Sequence, residues 1–348
     1  MSVPRIFLFS TIGLFVLIAL IGFGKKGKEK NLIPVNHTAV QEIEFNTSSS
    51  SQISAQVPKK IIPKEVEAKK KNVKKEKELS AAISKSVSDS LPDANYIESF
   101  FDPAAIKFPI VETITYERRV PWLKGKFAWV SDYASHYKTS KHFIARSLNK
   151  KADYFTQDVR NGDSFNVLRT DKNFHFYLLV DVSLCKMWFY YVDEDLNERT
   201  LVKTYRVGLG RLDDKKESGS LTPVGKYKLG EKIAVYKPGT MGYFNNAKTE
   251  MVSVFGTRWI PFGEEIEGCS APAKGFGLHG APLLQEASSG KWEEDISKIG
   301  KFDSDGCIRL SQQEIEELFA VIVSRPTVIE IVKNFHEAKL PGKEKKLD

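Results

Sequence analysis

The sequence predicts a mostly β fold for its C-terminal half: an antiparallel β-sandwich or barrel with one or two helices, preceded by a small accessory α+β region. Two observations support this prediction. HFYLLVDVS and CKMWFYYVD are aromatic and β-branched runs separated by a short turn, which is typical of a β-hairpin. Further strand-like runs follow as far as Leu310, where the apolar spacing changes to that of a helix.

The first 24 residues are predicted to be a transmembrane signal anchor. Residues 6–24 are almost wholly apolar, and at about 1.5 Å per residue they reach roughly 28 Å, close to the thickness of the bilayer core. No good small-x-small cleavage site follows, which favours retention over removal. The lysines after the segment oppose this orientation under the positive-inside rule, so export is inferred from the chemistry of the C-terminal half.

Residues 25–95 are predicted to be a flexible linker rich in lysine and serine, with no apolar face to bury. Residues 25–30 carry a net charge of +3, and residues 59–78, with nine Lys against four Glu, carry +5. These two runs account for the whole-chain surplus of +8. They lack interleaved aromatic residues and any nucleic-acid-binding motif, so we expect no nucleic-acid partner; attraction to anionic lipid or wall polymer is the minor alternative.

Residues 96–172 are predicted to form the accessory region, because aromatic density rises only after Tyr96. The Asn161-Gly162-Asp163 turn before an apolar strand weakly resembles a lysin-motif module. A structural accessory to the next domain is the favoured interpretation.

Residues 173–335 are predicted to form the main domain. After the hairpin, LVKTYRVGLG adds a strand, and Thr222-Pro223 with Gly225 mark a turn that leads into another. SQQEIEELFAVIV has helical spacing, with Ser311 as the expected N-cap and Glu314 completing a capping box. PTVIEIV returns to strand, and residues 336–348 are expected to be a C-terminal tail.

The chain has three cysteines, an odd number that suits an exported protein with one free thiol. Cys185 and Cys269 could form a disulfide, and two unpaired buried cysteines are at least as well supported. No metal-ligand spacing is present, so we expect neither a metal nor another cofactor.

Two stretches carry candidate chemistry: GFGLHGAP, which contains His279 and Gly280, and FDSDGCIRL, which contains Cys307. A cysteine attacks as its thiolate, so a catalytic one needs a base, and an imidazole can take the proton and later return it to a leaving amine. Gly306 permits a tight turn whose N–H groups could face an oxyanion. Each of these residues alone more often has a structural role, but together they predict acyl transfer through a thioester on Cys307.

The ordered blocks resemble the L,D-transpeptidase catalytic-domain family of bacterial cell-wall enzymes over roughly residues 173–334. They are the VDVS…WFYYVD hairpin, YRVGLG, TPVGKYKL, FGTRWIPF, FGLHGAP, SDGCIRLS and PTVIEI. The resemblance implies peptidoglycan stem peptides as substrate and no metal or nucleotide. It also implies sensitivity to carbapenems and a catalytic domain in the periplasm. The apolar N-terminal segment is expected to hold that domain to the inner membrane.

The resemblance implies a role for each site residue. Cys307 would attack the carbonyl that joins the third stem residue to the terminal D-Ala, and His279 would serve as base and then as acid. Ser304 would shape the site by hydrogen bonding, and Gly306 with Cys307 would offer oxyanion-hole N–H groups. Arg309 would brace the loop or meet a substrate carboxylate, and Gly280 is grouped with it among the substrate-binding residues.

The implied product is a 3→3 cross-link, formed when an amine on a neighbouring stem takes the acyl group. Three alternatives stay open: water as acceptor, which gives an L,D-carboxypeptidase; a wall protein as acceptor, which gives an attachment enzyme; and a non-catalytic peptidoglycan-binding module.

Two features depart from the family pattern. Asp305 stands where many members have a second histidine, and a carboxylate so close is expected to raise the pKa of the thiol. The 24 residues from Gly280 to Asp303 exceed the usual interval, and we expect them to form a lid or flap over the groove.

Overall fold

The computed structural model describes residues 91–149 and 159–346. The predicted membrane anchor and nearly all of the predicted linker lie outside this part of the chain. The elements in chain order are α1 (Glu98–Phe101), β1 (Val111–Thr115), α2 (Val130–His136), α3 (Lys141–Asn149), β2 (Ser164–Leu168), β3 (Phe174–Asp181), β4 (Lys186–Asp193), β5 (Glu198–Arg206), β6 (Leu209–Gly210), β7 (Gly225–Leu229), β8 (Ala234–Val235), β9 (Met241–Phe244), β10 (Ala247–Glu250), α4 (Val252–Phe255), β11 (Arg258–Glu267), β12 (Gly277–Gly280), β13 (Leu283–Gln285), β14 (Trp292–Glu294), β15 (Phe302–Ser304), β16 (Ile308–Leu310), α5 (Gln312–Ile322), β17 (Thr327–Val332) and β18 (Lys343–Lys345).

A curled ten-stranded sheet forms the centre of the fold, in the order β16-β12-β11-β7-β17-β3-β4-β5-β18, with β8 paired to β11. The predicted mostly β class with few helices is confirmed. The predicted hairpin is β3–β4, which pair in antiparallel register from Phe174↔Asp193 to Asp181↔Lys186. Its turn contains Cys185 at φ +50°, a left-handed conformation that few non-glycine residues adopt.

Not every pairing in the sheet is antiparallel. Strand β17 runs parallel to β3, and β12 runs parallel to β16. Parallel neighbours cannot be joined by a tight turn and need a crossover of about a dozen residues or more. The long interval between the histidine and cysteine motifs is that crossover, because the chain must return along the sheet before β16 can begin.

Both faces of the β3–β4 hairpin are buried, and alternate residues face opposite sides as the strand period requires. Phe176 and Leu178 belong to the main core, together with residues of α5 and the accessory region. Tyr177 and Leu179 belong to a second cluster on the other face. Continuous apolar runs in these strands therefore reflect burial on both sides.

Helix α5 follows β16, as the sequence predicts. Ser311 Oγ accepts from the Glu314 N–H, and the Glu314 carboxylate accepts from the Ser311 N–H, which closes the capping box. The apolar positions Ile315, Leu318 and Phe319 are fully buried in the main core. The helix is thus held by its cap at one end and by its apolar face along its length.

The accessory region follows the order α1, β1, α2, α3, β2, with β1 and β2 paired antiparallel. Phe100 and Phe143 from this region lie in the same core cluster as the central sheet. Ser140 Oγ donates to the Ala320 carbonyl on α5 at 2.8 Å. The region therefore packs directly on α5. Its resemblance to a lysin motif stays a prediction.

The two ends of the described chain differ from the linker and tail that the sequence predicts. Trp188 Nε1 donates to the Pro92 carbonyl at 2.7 Å, and Asn95 forms an isolated β-bridge with Lys203 on β5. At the other end, β18 pairs in parallel with β5. The physical reason is that β5 would otherwise be an open edge and the second face of the hairpin would be exposed, so both terminal segments cover them.

All three cysteines are free thiols. Cys185 is buried, whereas Cys269 is partly exposed and its Sγ lies 3.0 Å from the Lys226 carbonyl oxygen. The disulfide alternative is therefore wrong, and so is full burial of Cys269. Among residues 91–149 and 159–346, no helix has the length and apolar character of a membrane span.

Candidate active site

The two candidate catalytic side chains lie on adjacent parallel strands. Strand β12 carries His279, which is in register with Arg309 on β16, and Leu278 is in register with Ile308. Cys307 immediately precedes β16, so it shares the face of Arg309 and hence of His279. Strand alternation and register thus bring together two residues that are 28 positions apart in the sequence.

An aromatic cluster lies against both side chains. The His279 ring centroid lies 5.4 Å from that of Phe255 on α4 and 6.0 Å from that of Trp259 on β11. Cys307 packs against the same cluster, which also contains Met251. The two candidate side chains therefore border the same apolar cluster.

One hydrogen bond sets the tautomer of His279. Nδ1 lies 2.8 Å from the Gly280 carbonyl oxygen, which can only accept, so Nδ1 carries the proton and Nε2 keeps its lone pair. The pKa of His279 is lowered to about 3, mainly by burial and in addition by the nearby Arg309 charge, while the Gly280 hydrogen bond acts to raise it. The imidazole is neutral and available as a base.

The Cys307 thiol is held in its protonated form. The residue as a whole is half-buried, but protein atoms surround the sulfur, and its burial raises the pKa of the thiol to about 12. A hydrogen bond from the Gly277 backbone amide and the charge of Arg309 lower the pKa of the thiol, and the charge of Asp305 raises it by a smaller amount. The expected influence of Asp305 is present, but desolvation is the dominant cause.

The turn before Cys307 is shaped by Ser304 and Gly306. Ser304 Oγ donates to the Cys307 carbonyl at 2.7 Å and accepts from the Gly306 N–H at 3.1 Å. Gly306 has φ +120°, and a Cβ there would overlap the Phe276 ring and lie 2.8 Å from the Leu221 carbonyl oxygen. Only glycine suits this position. Because the Gly306 N–H already donates to Ser304, the Cys307 N–H is the better candidate for an oxyanion donor.

Arg309 braces the loop. Its guanidinium lies 3.3 Å from the Asp303 carboxylate, which also pairs with Lys298 at 2.9 Å. The Arg309 side chain is mostly buried, and its backbone exchanges hydrogen bonds with Gly208. Of the two roles implied for Arg309, this geometry favours bracing over contact with a substrate carboxylate.

Gly280 is the last residue of β12, the strand that carries His279. Besides accepting from His279, it packs so tightly that an added Cβ would lie 3.1 Å from Gln312 Oε1 on α5. The same added Cβ would lie 3.4 Å from the Cα atom of Gly256. In this structure Gly280 allows close packing behind the base.

Several supporting residues were not singled out from the sequence. The Arg211 N–H donates to the Ser304 carbonyl at 2.9 Å. Just before it, the Gly210 N–H donates to Thr222 Oγ1 at 2.8 Å, and Ser220 Oγ donates to the Gly210 carbonyl at 2.7 Å. Arg211 directly follows the YRVGLG block and Thr222 opens the TPVGKYKL block, so their position in these blocks was the available signal.

The insertion between the two motifs contains the β13–β14 hairpin. At its end, Glu294 accepts from the Gln312 N–H at 2.5 Å, so the hairpin is attached to the start of α5. Strand β13 contacts α4, which carries Phe255 against the histidine. The hairpin thus lies beside the site, and its action as a lid stays a prediction.

Within the described ranges, no group of three or more His, Cys, Asp or Glu residues is arranged to hold a metal ion.

Comparisons with known proteins identify the main domain. Residues 175–331 match the family model for the YkuD-type L,D-transpeptidase catalytic domain. No curated protein matches this chain.

Solved structures give more distant likenesses. The helical cell shape determining protein Pgp2 from Campylobacter jejuni is 18% identical, with 49% of this chain and 51% of that chain covered and a TM-score of 0.30. Bd1075 from Bdellovibrio bacteriovorus is 17% identical, with 46% and 48% covered and a TM-score of 0.30. This chain thus spans about half the length of either structure. At such values these likenesses carry no argument about function. The family match concerns one domain: residues 175–331 are similar to L,D-transpeptidase catalytic domains.

Proposed function

We propose that this chain is a peptidoglycan L,D-transpeptidase that forms 3→3 cross-links and releases the terminal D-Ala of tetrapeptide stems. One observation carries the proposal. Cys307 and His279 share one face of the β12–β16 pair, with the Nε2 lone pair left free by the bond from Nδ1 to Gly280. A thiol and a neutral imidazole so placed are the parts that acyl transfer through a thioester requires.

In the first half-reaction, His279 Nε2 takes the proton of Cys307 as the sulfur attacks the carbonyl of the third stem residue. The carbonyl oxygen becomes an oxyanion that the Cys307 N–H can stabilise. When the C–N bond breaks, the imidazolium gives its proton to the departing amine of D-Ala. The acyl group is then held as a thioester on Cys307.

In the second half-reaction, an amine on a neighbouring stem attacks the thioester. His279 accepts a proton from that amine, the C–S bond breaks, and the proton returns to the sulfur. The neutral resting pair is restored, and the new amide is the cross-link. Because the site is apolar, charge separation develops only during each half-reaction.

The proposal includes a place in the cell envelope. Peptidoglycan lies outside the cytoplasmic membrane, so a wall enzyme needs export, and residues 1–24 are the candidate anchor. A reporter fused after Asp348 should be active only when it is periplasmic. A reporter that is active in the cytoplasm alone would contradict this part of the proposal.

The nucleophile is tested by carbapenem labelling of the full chain in detergent. Wild type should gain the mass of one carbapenem, and Cys307→Ala should gain none. Cys269→Ala is the matched control, because it removes a partly exposed free thiol and should label as wild type does. Absence of an adduct on the folded wild-type chain would contradict the proposal.

The acceptor is tested by incubating the full chain with purified tetrapeptide-rich peptidoglycan and analysing the muropeptides by mass spectrometry. New 3→3 dimers support the transpeptidase. Tripeptides without dimers would show that water is the acceptor and replace the proposal with a carboxypeptidase. No change with wild type would refute both.

A further inference from the structure

An exposed ion pair stands beside the nucleophile turn. Arg211 Nη2 lies 2.5 Å from Asp305 Oδ1, and the two side chains are 59% and 62% exposed. The Arg211 backbone is also fixed, because its N–H donates to the Ser304 carbonyl at 2.9 Å. Arg211 is therefore held at the turn twice: its backbone N–H bonds to Ser304, and its guanidinium pairs with Asp305. The guanidinium still faces solvent.

The other cations at this turn are already engaged. Lys298 and Arg309 both pair with Asp303, and the Arg309 side chain is mostly buried. A guanidinium has five N–H donors in a planar fork, and one carboxylate oxygen occupies only part of it. Of these three cations, Arg211 has the most exposed side chain: 59%, against 36% for Lys298 and 16% for Arg309.

The reach of Arg211 matches the expected substrate. Asp305 lies two residues before Cys307, so their Cα atoms are at most about 7 Å apart. In the tetrapeptide donor, the free carboxylate of D-Ala lies within about 4 Å of the attacked carbonyl carbon. The Arg211 guanidinium is thus paired with a residue two positions before Cys307, the neighbourhood that this carboxylate must enter when the carbonyl is at the sulfur.

We propose that Arg211, held in place by Asp305, binds the free carboxylate of the terminal D-Ala in the donor stem. This inference rests on the proposed function and deepens it by assigning donor selectivity to a residue pair. Asp305, which stands where many family members have histidine, then acts by orienting the arginine.

The test uses two soluble donors that differ in one group: a disaccharide-tetrapeptide with the D-Ala carboxylate, and the same compound with a C-terminal carboxamide. Release of D-Ala or D-alaninamide by the full chain is measured across substrate concentrations. Wild type should prefer the carboxylate by about 10- to 100-fold in kcat/KM, the range of a charge-assisted hydrogen-bonded pair. Arg211→Gln should lose this preference, mainly through KM, and should process the carboxamide as wild type does.

Three further variants sharpen the result. Arg211→Lys should keep part of the preference, since it retains the charge without the fork. Asp305→Asn should weaken the preference because it releases the arginine. Lys298→Gln is the matched control: it removes a cation from the pair with Asp303 on the other side of Ser304 and should leave the preference intact.

The outcomes separate the inference from the function on which it rests. Equal losses on both donors in Arg211→Gln would show that Arg211 acts on the thiol or the fold, and would overturn the inference. An unchanged preference in that variant would overturn it as well. If wild type releases neither product, the proposed function itself is refuted. Turnover of the carboxamide by each variant shows that the variant is folded.

Discussion

The catalytic pair should rest as a neutral thiol and a neutral imidazole, and alkylation of Cys307 across pH tests this directly. Burial raises the pKa of the thiol from its ordinary value of about 9 to about 12. At pH 7 this shift lowers the thiolate fraction about 1000-fold, and the thiolate is the form that reacts. Alkylation by iodoacetamide should therefore be slow at neutral pH and should keep rising beyond pH 9.

The measurement follows the Cys307 peptide by mass spectrometry after timed iodoacetamide treatment of the full chain. A synthetic FDSDGCIRL peptide is the control, because it has the same neighbours without the fold. The peptide should react far faster than the protein at pH 7, and the two rates should converge as the pH rises. A protein rate that levels off below pH 8 would show a thiolate–imidazolium pair and refute the reasoning.

The acid side of the activity profile tests the base. The pKa of His279 is lowered to about 3, so the imidazole stays unprotonated as the pH falls through 6.5, where an ordinary histidine would become charged. The kcat/KM for D-Ala release should therefore hold down to about pH 4. Loss of activity with a midpoint near 6.5 would show that burial does not control this histidine.

Three substitutions test the supporting structure. Ser304→Ala removes two buried hydrogen bonds from the nucleophile turn and should cost about 1–3 kcal/mol in thermal unfolding, with slower acylation; unchanged acylation would contradict its shaping role. Gly306→Ala forces a side chain into the left-handed region and should lower stability by about 1–3 kcal/mol or more; a wild-type melting curve would contradict the turn geometry. Glu317→Ala leaves Lys203 buried without its carboxylate and should cost about 3–5 kcal/mol in urea unfolding, whereas a loss below about 1 kcal/mol would show that the pair is solvated.

The sequence predicted the elements whose signals are local. The β3–β4 hairpin follows from two apolar runs around a turn, and α5 follows from its period and from the Ser311–Glu314 box. The nucleophile turn was also visible, because a glycine before Cys307 implies a backbone that other residues cannot adopt.

The parallel pairing of β12 with β16 was not predicted. Strand direction depends on where the crossover connection returns to the sheet, and the residues of a short strand do not indicate it. The segment between His279 and Ser304, which the sequence predicts to be a lid, is therefore also the crossover that joins two parallel strands. The covering of β5 by residues near Asn95 and by β18 was missed for a similar reason. The composition of these polar segments predicts a linker and a tail, and only the exposed edge of β5 makes them form ordered structure.

The sequence by itself indicated the catalytic-domain family that residues 175–331 match, the mostly β class, and the candidate nucleophile and base, because each depends on short local motifs. Tertiary structure decided how those residues can work. Strand register places His279 and Cys307 on one face of the sheet, and burial keeps the imidazole and the thiol uncharged. The turn before Cys307 brings Asp305 into contact with Arg211. These properties come from desolvation and from contacts between distant segments, and such contacts exist only once the sheet has formed.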